Sequence, residues 1–187
     1  VTYAYADANG CANTNQTTIV VHSLPTIAAR IDQTSCVGST VTLSASGGIA
    51  YVWDNGIVNG QSFSPSLGNT TYTVTGTDAN GCTDSHVVMV NVFGLPAITI
   101  NDTENSGITA NDETVCEDDP LTLTVSFSMG AATIFDWDLP GGATNTGNPL
   151  VISNTTIADH NGTFVVTVTD VNGCTASASI DITVENT

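Results

Sequence analysis

The sequence predicts an all-β protein made of small sandwich modules in series, and three observations support this prediction. A stretch of alternating apolar residues that ends in a Cys after Asp-x-Asn-Gly occurs three times, at Val1–Cys11, Tyr72–Cys82 and Phe164–Cys174. Elsewhere, apolar residues recur at every second position over short segments, which is typical of strands with one buried face, and no segment has a helical period. Two cysteines accompany each complete copy of the repeat.

The repeated stretch predicts strand, tight turn, strand. Asn and Gly tolerate the positive φ angles of a type I′ turn, so the Asn-Gly pair predicts a two-residue hairpin. The hairpin cysteines of successive copies lie 71 and then 92 residues apart. These steps predict the end of one module at residues 1–24, a complete module at 25–95, and a module with longer loops at 96–187. Leu24-Pro25 and Leu95-Pro96 are predicted as short linkers.

The second module shows the predicted strands most clearly. Val41, Leu43 and Ala45 would share one strand face, and Tyr51 and Trp53 another. Short strands at this spacing, with a tryptophan in a middle strand, predict an immunoglobulin-like sandwich. The large residues expected in the cores of the two complete modules are Trp53, Tyr72, Trp137 and Phe164.

The charge of the chain excludes several classes of partner. One basic residue, Arg30, stands against eighteen acidic ones, and the net charge is −17. Such a chain repels nucleic-acid phosphates and anionic lipid surfaces. No run of eighteen apolar residues occurs, so we predict no membrane insertion. The chain begins without methionine or a signal peptide, and we expect it to be a portion of a longer exported protein.

The five cysteines predict disulfides rather than a zinc site, because no Cys-x-x-Cys or Cys/His cluster occurs. Within each complete module we predict one bond, Cys36–Cys82 and Cys116–Cys174, and we predict that Cys11 is unpaired. The first bond would close a loop of about 47 residues and contribute on the order of 4 kcal/mol. Disulfides persist in oxidising compartments, so an extracellular or cell-surface location follows.

Three segments of the second module resemble a known group of repeats. They are Ser35-Cys-Val-Gly-Ser-Thr-Val-Thr-Leu-Ser-Ala-Ser-Gly-Gly, Tyr51-Val-Trp-Asp-Asn-Gly and Thr71-Tyr-Thr-Val-Thr-Gly-Thr-Asp-Ala-Asn-Gly-Cys. The chain is similar here to the immunoglobulin-like and polycystic-kidney-disease-like repeats of large type IX-secreted surface proteins and adhesins of gliding bacteria. The third module fits more loosely. The resemblance implies a structural stalk or adhesive fibre whose partners are neighbouring modules, and it transfers no catalytic residue.

Calcium is the cofactor that the acidic residues best fit. Glu117, Asp118 and Asp119 cluster before a predicted strand, and Asp78 lies in a hairpin turn. Calcium takes six to eight oxygen ligands, which acidic loops supply. The other interpretation is that these residues serve turn formation and solubility. No EF-hand pattern is present, so both interpretations stay open.

Three further functions have some support in the sequence. Asp136 and Asp138 could form a glycosidase pair, but alternation around a core tryptophan explains them equally, and we predict no enzyme. Surface glycans would bind exposed aromatic residues, which are few. A hairpin at residues 1–24 without partner strands could instead accept a strand from another subunit and build a filament.

Overall fold

A computed structural model describes residues 1–104, 111–127 and 131–186. The structure is nearly all β. The strands of the first two sequence copies are β1 Thr2–Ala6, β2 Ala12–Gln16, β3 Ala28–Ala29, β4 Gln33–Cys36, β5 Val41–Thr42, β6 Ala45–Ser46, β7 Ala50–Trp53, β8 Ser62–Phe63, β9 Gly68–Thr77 and β10 Thr83–Phe93. Those of the third copy are β11 Ile98–Thr103, β12 Thr114–Cys116, β13 Leu121–Phe127, β14 Ala132–Asp138, β15 Thr144–Thr146, β16 Leu150–Ile152, β17 Gly162–Asp170 and β18 Thr175–Glu185. One helical turn, α1, spans Ile157–His160.

The chain forms two compact units. Unit 1 comprises residues 1–31, 42–63 and 71–88, and unit 2 comprises residues 32–41, 64–70 and 89–187. Unit 2 takes in β4 because this strand pairs with Val90 to Phe93 at the end of β10. The units therefore divide the chain at other points than the sequence repeat does, and the boundaries at 24/25 and 95/96 stay predictions.

Unit 2 contains two sheets that share one core. One sheet has the order β11-β13-β16, and the other has the order β12-β18-β17-β14-β15. Neighbouring strands are antiparallel except β12, which runs parallel to β18. Side chains from both sheets form a single cluster around the fully buried Trp137 and Phe164. This strand order, with a buried tryptophan on a middle strand, is that of an immunoglobulin-like sandwich.

The inward faces follow the period of two that the sequence shows. Leu121, Leu123 and Val125 of β13 are buried, and the threonines between them are half-buried. In β17 the buried apolar residues are Phe164, Val166 and Val168, which belong to the same core cluster. Alternation therefore sets which face of each strand meets the core.

Unit 1 has a second set of buried residues. Ile27, Leu43 and Trp53 are buried there with Tyr72 and Val74. Trp53 pairs with Val74 in the register of β7 with β9, and its indole N–H donates to Oδ1 of Asn59 at 3.0 Å. The backbone N–H of Ala45 donates to the same oxygen at 2.8 Å. One oxygen of the half-buried Asn59 side chain thus ties two segments together.

The hairpin of β1 and β2 has no buried residue. The two strands pair from Thr2 with Gln16 to Ala6 with Ala12. Every residue in them is exposed, and the rings of Tyr3 and Tyr5 stack side by side with centroids 6.1 Å apart.

Candidate functional site

The three hairpin turns have one geometry, which is centred on the aspartate. Oδ1 of Asp170 accepts hydrogen bonds from the backbone N–H groups of Asn172 and Cys174, both at 2.8 Å. Asp7 and Asp78 make the equivalent pairs at 2.8–2.9 Å. In each copy the aspartate N–H also donates to the cysteine carbonyl, and the glycine N–H donates to the aspartate carbonyl. The repeated sequence therefore builds one rigid turn three times.

The turn is not the type I′ turn that the Asn-Gly pair predicts, and that prediction was wrong. Gly10, Gly81 and Gly173 have φ between 81° and 83°, whereas the asparagines before them are absent from the residues with positive φ. Asp at the first position and a left-handed Gly at the fourth are typical of a type I turn with a following bulge. The aspartate side chain bonds to the backbone N–H groups two and four residues later, and this favours the type I form.

The aspartates of the second and third turns have lowered pKa values. Desolvation acts to raise the pKa of Asp170, but the hydrogen bonds from the backbone of Cys174 and Asn172 outweigh it and lower the pKa below 3.8. The pKa of Asp78 is lowered in the same way by Cys82 and Asn80, and the charge of His22 adds to the effect. Both carboxylates are held in the ionised form that the turn uses.

The three hairpin cysteines differ in their surroundings. Cys11 is exposed, Cys82 is half-buried, and both carry free thiols. Cys174 is 0% exposed, and the aspartate of its turn is 6% exposed. The two ends of the turn, Asp170 and Cys174, are thus buried in the third copy alone, where the cysteine also has a covalent partner.

That partner is Cys36, and it corrects the predicted disulfides. Cys36 and Cys174 are bonded with their Cα atoms 5.6 Å apart and 138 residues apart in sequence. Neither Cys36–Cys82 nor Cys116–Cys174 is therefore formed. The bond joins a cysteine of the second sequence copy to the hairpin cysteine of the third, within unit 2.

Strand register is the physical reason that the predicted bonds do not form. Cys116 pairs with Glu185, the last residue of β18, whereas Cys174 directly precedes the first residue of that strand. A strand rises about 3.3 Å per residue, so eleven residues separate the two cysteines by about 36 Å, and a disulfide needs Cα atoms within about 7 Å. Cys36 has the same register, opposite Phe93 at the end of β10. The sequence did not reveal that the strand ending in the first cysteine of each copy, β4 or β12, pairs in parallel with the last strand of that copy, β10 or β18.

The predicted calcium residues Glu117, Asp118, Asp119 and Asp78 do not belong to a cluster of acidic side chains that could hold a metal ion within the described residues. Glu117, Asp118 and Asp119 form a turn whose backbone is held by the buried Thr155, which donates its hydroxyl to the carbonyls of Cys116 and Asp119. In the part of the chain that the structure describes, no three His, Cys, Asp or Glu side chains converge as metal ligands would. The calcium site, including Asp78, stays a prediction without structural support.

The carboxylates considered as a glycosidase pair, Asp136 and Asp138, do not line the cavity that the structure contains. Asp136 and Asp138 are exposed on β14, opposite Thr146 and Thr144 of β15. An open cavity of about 210 Å³ lies against β11 and β13, and its lining contains no ionisable side chain: Ala97, Ile98, Thr99, Ser126 and Phe127. Within the described ranges, no helix is long and apolar enough to cross a bilayer.

Comparisons with known proteins give structural neighbours only. No protein-family model matches the chain, and no curated protein does. Among solved structures, an amphioxus IgVJ-C2 molecule is 20% identical over 97% of this chain and 96% of its own, with a TM-score of 0.39.

Two further solved structures are longer proteins. The four N-terminal Ig domains of Dscam1 isoform 6.44 are 13% identical over 95% of this chain and 52% of theirs, with a TM-score of 0.38. A Ca²⁺-stabilised adhesin that helps an Antarctic bacterium reach out and bind ice is 16% identical over 98% of this chain and 56% of its own, with a TM-score of 0.46. The chain spans about half the length of these two proteins. The immunoglobulin-like assignment rests on the strand order of unit 2.

Proposed function

We propose that this chain is a structural, non-enzymatic segment of a secreted cell-surface adhesin, stalk or extracellular fibre. The observation that carries the proposal is the Cys36–Cys174 bond, which joins successive copies of a repeated β-rich sequence. A covalent bond between copies is suited to a segment that transmits tension. The partners in this role are neighbouring immunoglobulin-like modules of the same long chain, joined by the Leu-Pro linkers.

An extracellular location is part of the proposal. Structural disulfides persist in oxidising compartments, and the Cys174 end of this bond is buried. The net charge of −17 also keeps extended copies of such a segment apart in solution. The resemblance to type IX-secreted adhesin repeats of gliding bacteria supports the same placement.

The exposed hairpin favours one second candidate, a filament subunit joined by strand addition. Both edges of the β1–β2 pair carry backbone groups that another strand could bond, and Tyr3 and Tyr5 remain 67% and 49% exposed. A strand from a second subunit would cover these rings and complete the sheet.

Electron microscopy of the native secreted material, before and after a calcium chelator, tests both candidates. Thin strings of beads support the stalk, whereas a regular filament with a fixed helical repeat supports strand addition. Kinking of the strings after chelation would place calcium at the linkers. Compact isolated particles would contradict the stalk and the filament alike.

A further inference from the structure

The bonded pair consists of two local structures that each occur more than once in the chain. Cys174 follows the Asp-centred hairpin turn, and Cys82 follows the same turn with the same hydrogen bonds, at 2.8–2.9 Å from Asp78. In one copy this position carries a disulfide, and in the other it carries a half-buried free thiol. The cysteine after this turn thus forms a disulfide in the copy where a second cysteine lies within reach.

The other half of the pair is a turn at a strand end, and it is repeated as well. Cys36 ends β4, the N–H of Val37 donates to the carbonyl of Phe93 at 2.8 Å, and the N–H of Ser39 donates to that of Cys36. In the third copy the backbone N–H of Glu117 donates to the carbonyl of Glu185 at 2.7 Å, and the N–H of Asp119 donates to the carbonyl of Cys116. The third residue of both turns is left-handed, with φ of 87° at Gly38 and 70° at Asp118. A strand-end cysteine is thus a constant part of the repeat.

His22 holds in the first copy the repeat position that Phe93 holds in the second. Phe93 lies eleven residues after the hairpin cysteine of its copy and is the register partner of Cys36. His22 lies eleven residues after Cys11 and is the equivalent residue of the first copy. The strand-end cysteine of a preceding copy would therefore take the repeat position beside His22 that Cys36 takes beside Phe93. Cys82 belongs to the copy after it, as Cys174 belongs to the copy after Cys36.

We propose that Cys82 is a cross-linking site that takes the strand-end cysteine of the preceding copy of this repeat, so that each copy is bonded to the next. The two thiols lose two protons and two electrons, and a small disulfide such as oxidised glutathione accepts them. One thiolate displaces one glutathione to give a mixed disulfide, and the second thiolate displaces the other, which yields the protein disulfide and two reduced glutathiones. The inference goes beyond a stalk role and does not depend on it.

The first test maps the disulfides of the 187-residue chain, oxidised with glutathione, by alkylation and mass spectrometry of an unreduced digest. We expect the Cys36–Cys174 peptide pair and alkylated Cys82 and Cys11. A Cys36–Cys82 pair would overturn the proposal, because bonds would then form within a copy.

The second test supplies the missing partner. The sequence of residues 25–71 is placed directly before Val1, which occupies the repeat position of Tyr72, so that a complete copy precedes residue 25. The added segment brings one strand-end cysteine, which has a choice between Cys11 of its own copy and Cys82 of the next. We expect a bond to Cys82, so that Cys82 loses its reaction with iodoacetamide while Cys11 keeps it.

The Cys36–Cys174 bond of the same molecules is the internal control for folding and oxidation. A matched variant with serine in place of the added cysteine should restore the alkylation of Cys82. A bond from the added cysteine to Cys11, or an alkylated Cys82 in molecules that contain Cys36–Cys174, would overturn the proposal. If the extended chain does not fold, the map of the 187-residue chain still decides between bonds within and between copies.

Discussion

At the scale of single residues, the aspartate of the repeated turn has the most specific structural role. Asp170 gives its Oδ1 to two backbone N–H groups, and one of them belongs to Cys174, which is 0% exposed. A buried N–H group without a partner is costly, and here a carboxylate four residues earlier in sequence supplies the partner. The first copy has the same bonds in an exposed turn, where water could replace them.

Replacement of Asp170 with alanine should therefore destabilise the protein more than the same change at Asp7. We expect Asp170→Ala to lower the melting temperature of unit 2 by about 5 °C, because it leaves the buried N–H of Cys174 unsatisfied. Asp7→Ala, the matched control, should lower the melting temperature of unit 1, to which Asp7 belongs, by less than about 1 °C, since its turn is solvated. Thermal melts followed by Trp137 fluorescence in a Trp53→Phe background measure the first variant, and melts followed by circular dichroism of the whole chain measure the second. Equal shifts would show that burial of the turn does not matter.

The lowered pKa of Asp170 predicts loss of stability in acid. A carboxylate whose folded-state pKa is below its unfolded value stabilises the fold at pH values above the unfolded pKa. Its contribution is full above about pH 5 and is lost as the pH falls through 3.8 toward the folded pKa. Urea midpoints measured from pH 6 to pH 2.5 should fall in this acid range. Asp170→Asn keeps an acceptor oxygen but does not titrate, so the fall should be smaller in that variant.

At the scale of elements, close packing between two segments of unit 1 depends on a glycine. Gly76 lies in β9, and a Cβ atom at this position would overlap Cδ1 of Ile27 and lie 2.7 Å from its Cγ1. Ile27 is buried, and Ala28, the residue after it, pairs with Ser46 of β6. The glycine therefore allows the segment before β3 to approach the face of β9.

Gly76→Ala should destabilise unit 1 by about 1–3 kcal/mol through overpacking against Ile27. Ile27→Ala in the same chain removes the clash, so the double variant should be more stable than the sum of the two single effects predicts. Gly48→Ala is a contrasting change, since its Cβ would lie 2.8 Å from a backbone oxygen, of Thr77, and Ile27→Ala should not rescue it. Urea denaturation followed by Trp53 fluorescence measures this coupling. Strict additivity of Gly76→Ala and Ile27→Ala would contradict the contact.

At the scale of the whole molecule, the long disulfide determines how the chain responds to heat and force. The bond spans 138 residues, and a loop of that length contributes about 5 kcal/mol by the chain-entropy estimate. This is comparable with the net stability of a small domain. Residues between the two cysteines cannot be drawn out while the bond is intact.

Single-molecule stretching from both ends should detect this directly. Reduction should lengthen the fully unfolded chain by about 480 Å, the reach of the residues that the bond encloses. It should also lower the melting temperature markedly. Cys36→Ser should match the reduced protein without a reductant, whereas Cys11→Ser should behave like the oxidised protein. An unchanged contour length on reduction would contradict the bond.

The sequence predicted most of what alternation and composition determine. The inward residues of β13 and β17 and the positions of the hairpins follow from local patterns. The turn type did not, because the Asp side chain rather than the Asn-Gly pair selects it. The partner of Cys174 did not either, because it depends on a parallel pairing between β4 and the end of β10, and no local pattern encodes which strands meet.

The span of the Cys36–Cys174 bond also has a consequence for biosynthesis. Cys36 is made long before its partner, and at about 5–20 residues per second the delay is roughly 7–28 s. Cys82 is made 46 residues after Cys36 and 92 residues before Cys174, so the wrong partner is present before the right one. Pairing of β4 with the end of β10 puts Cys36 opposite Phe93, whereas Cys82 directly precedes the first residue of β10. Folding of this pair before the thiols meet an oxidising compartment would thus favour Cys174 over Cys82.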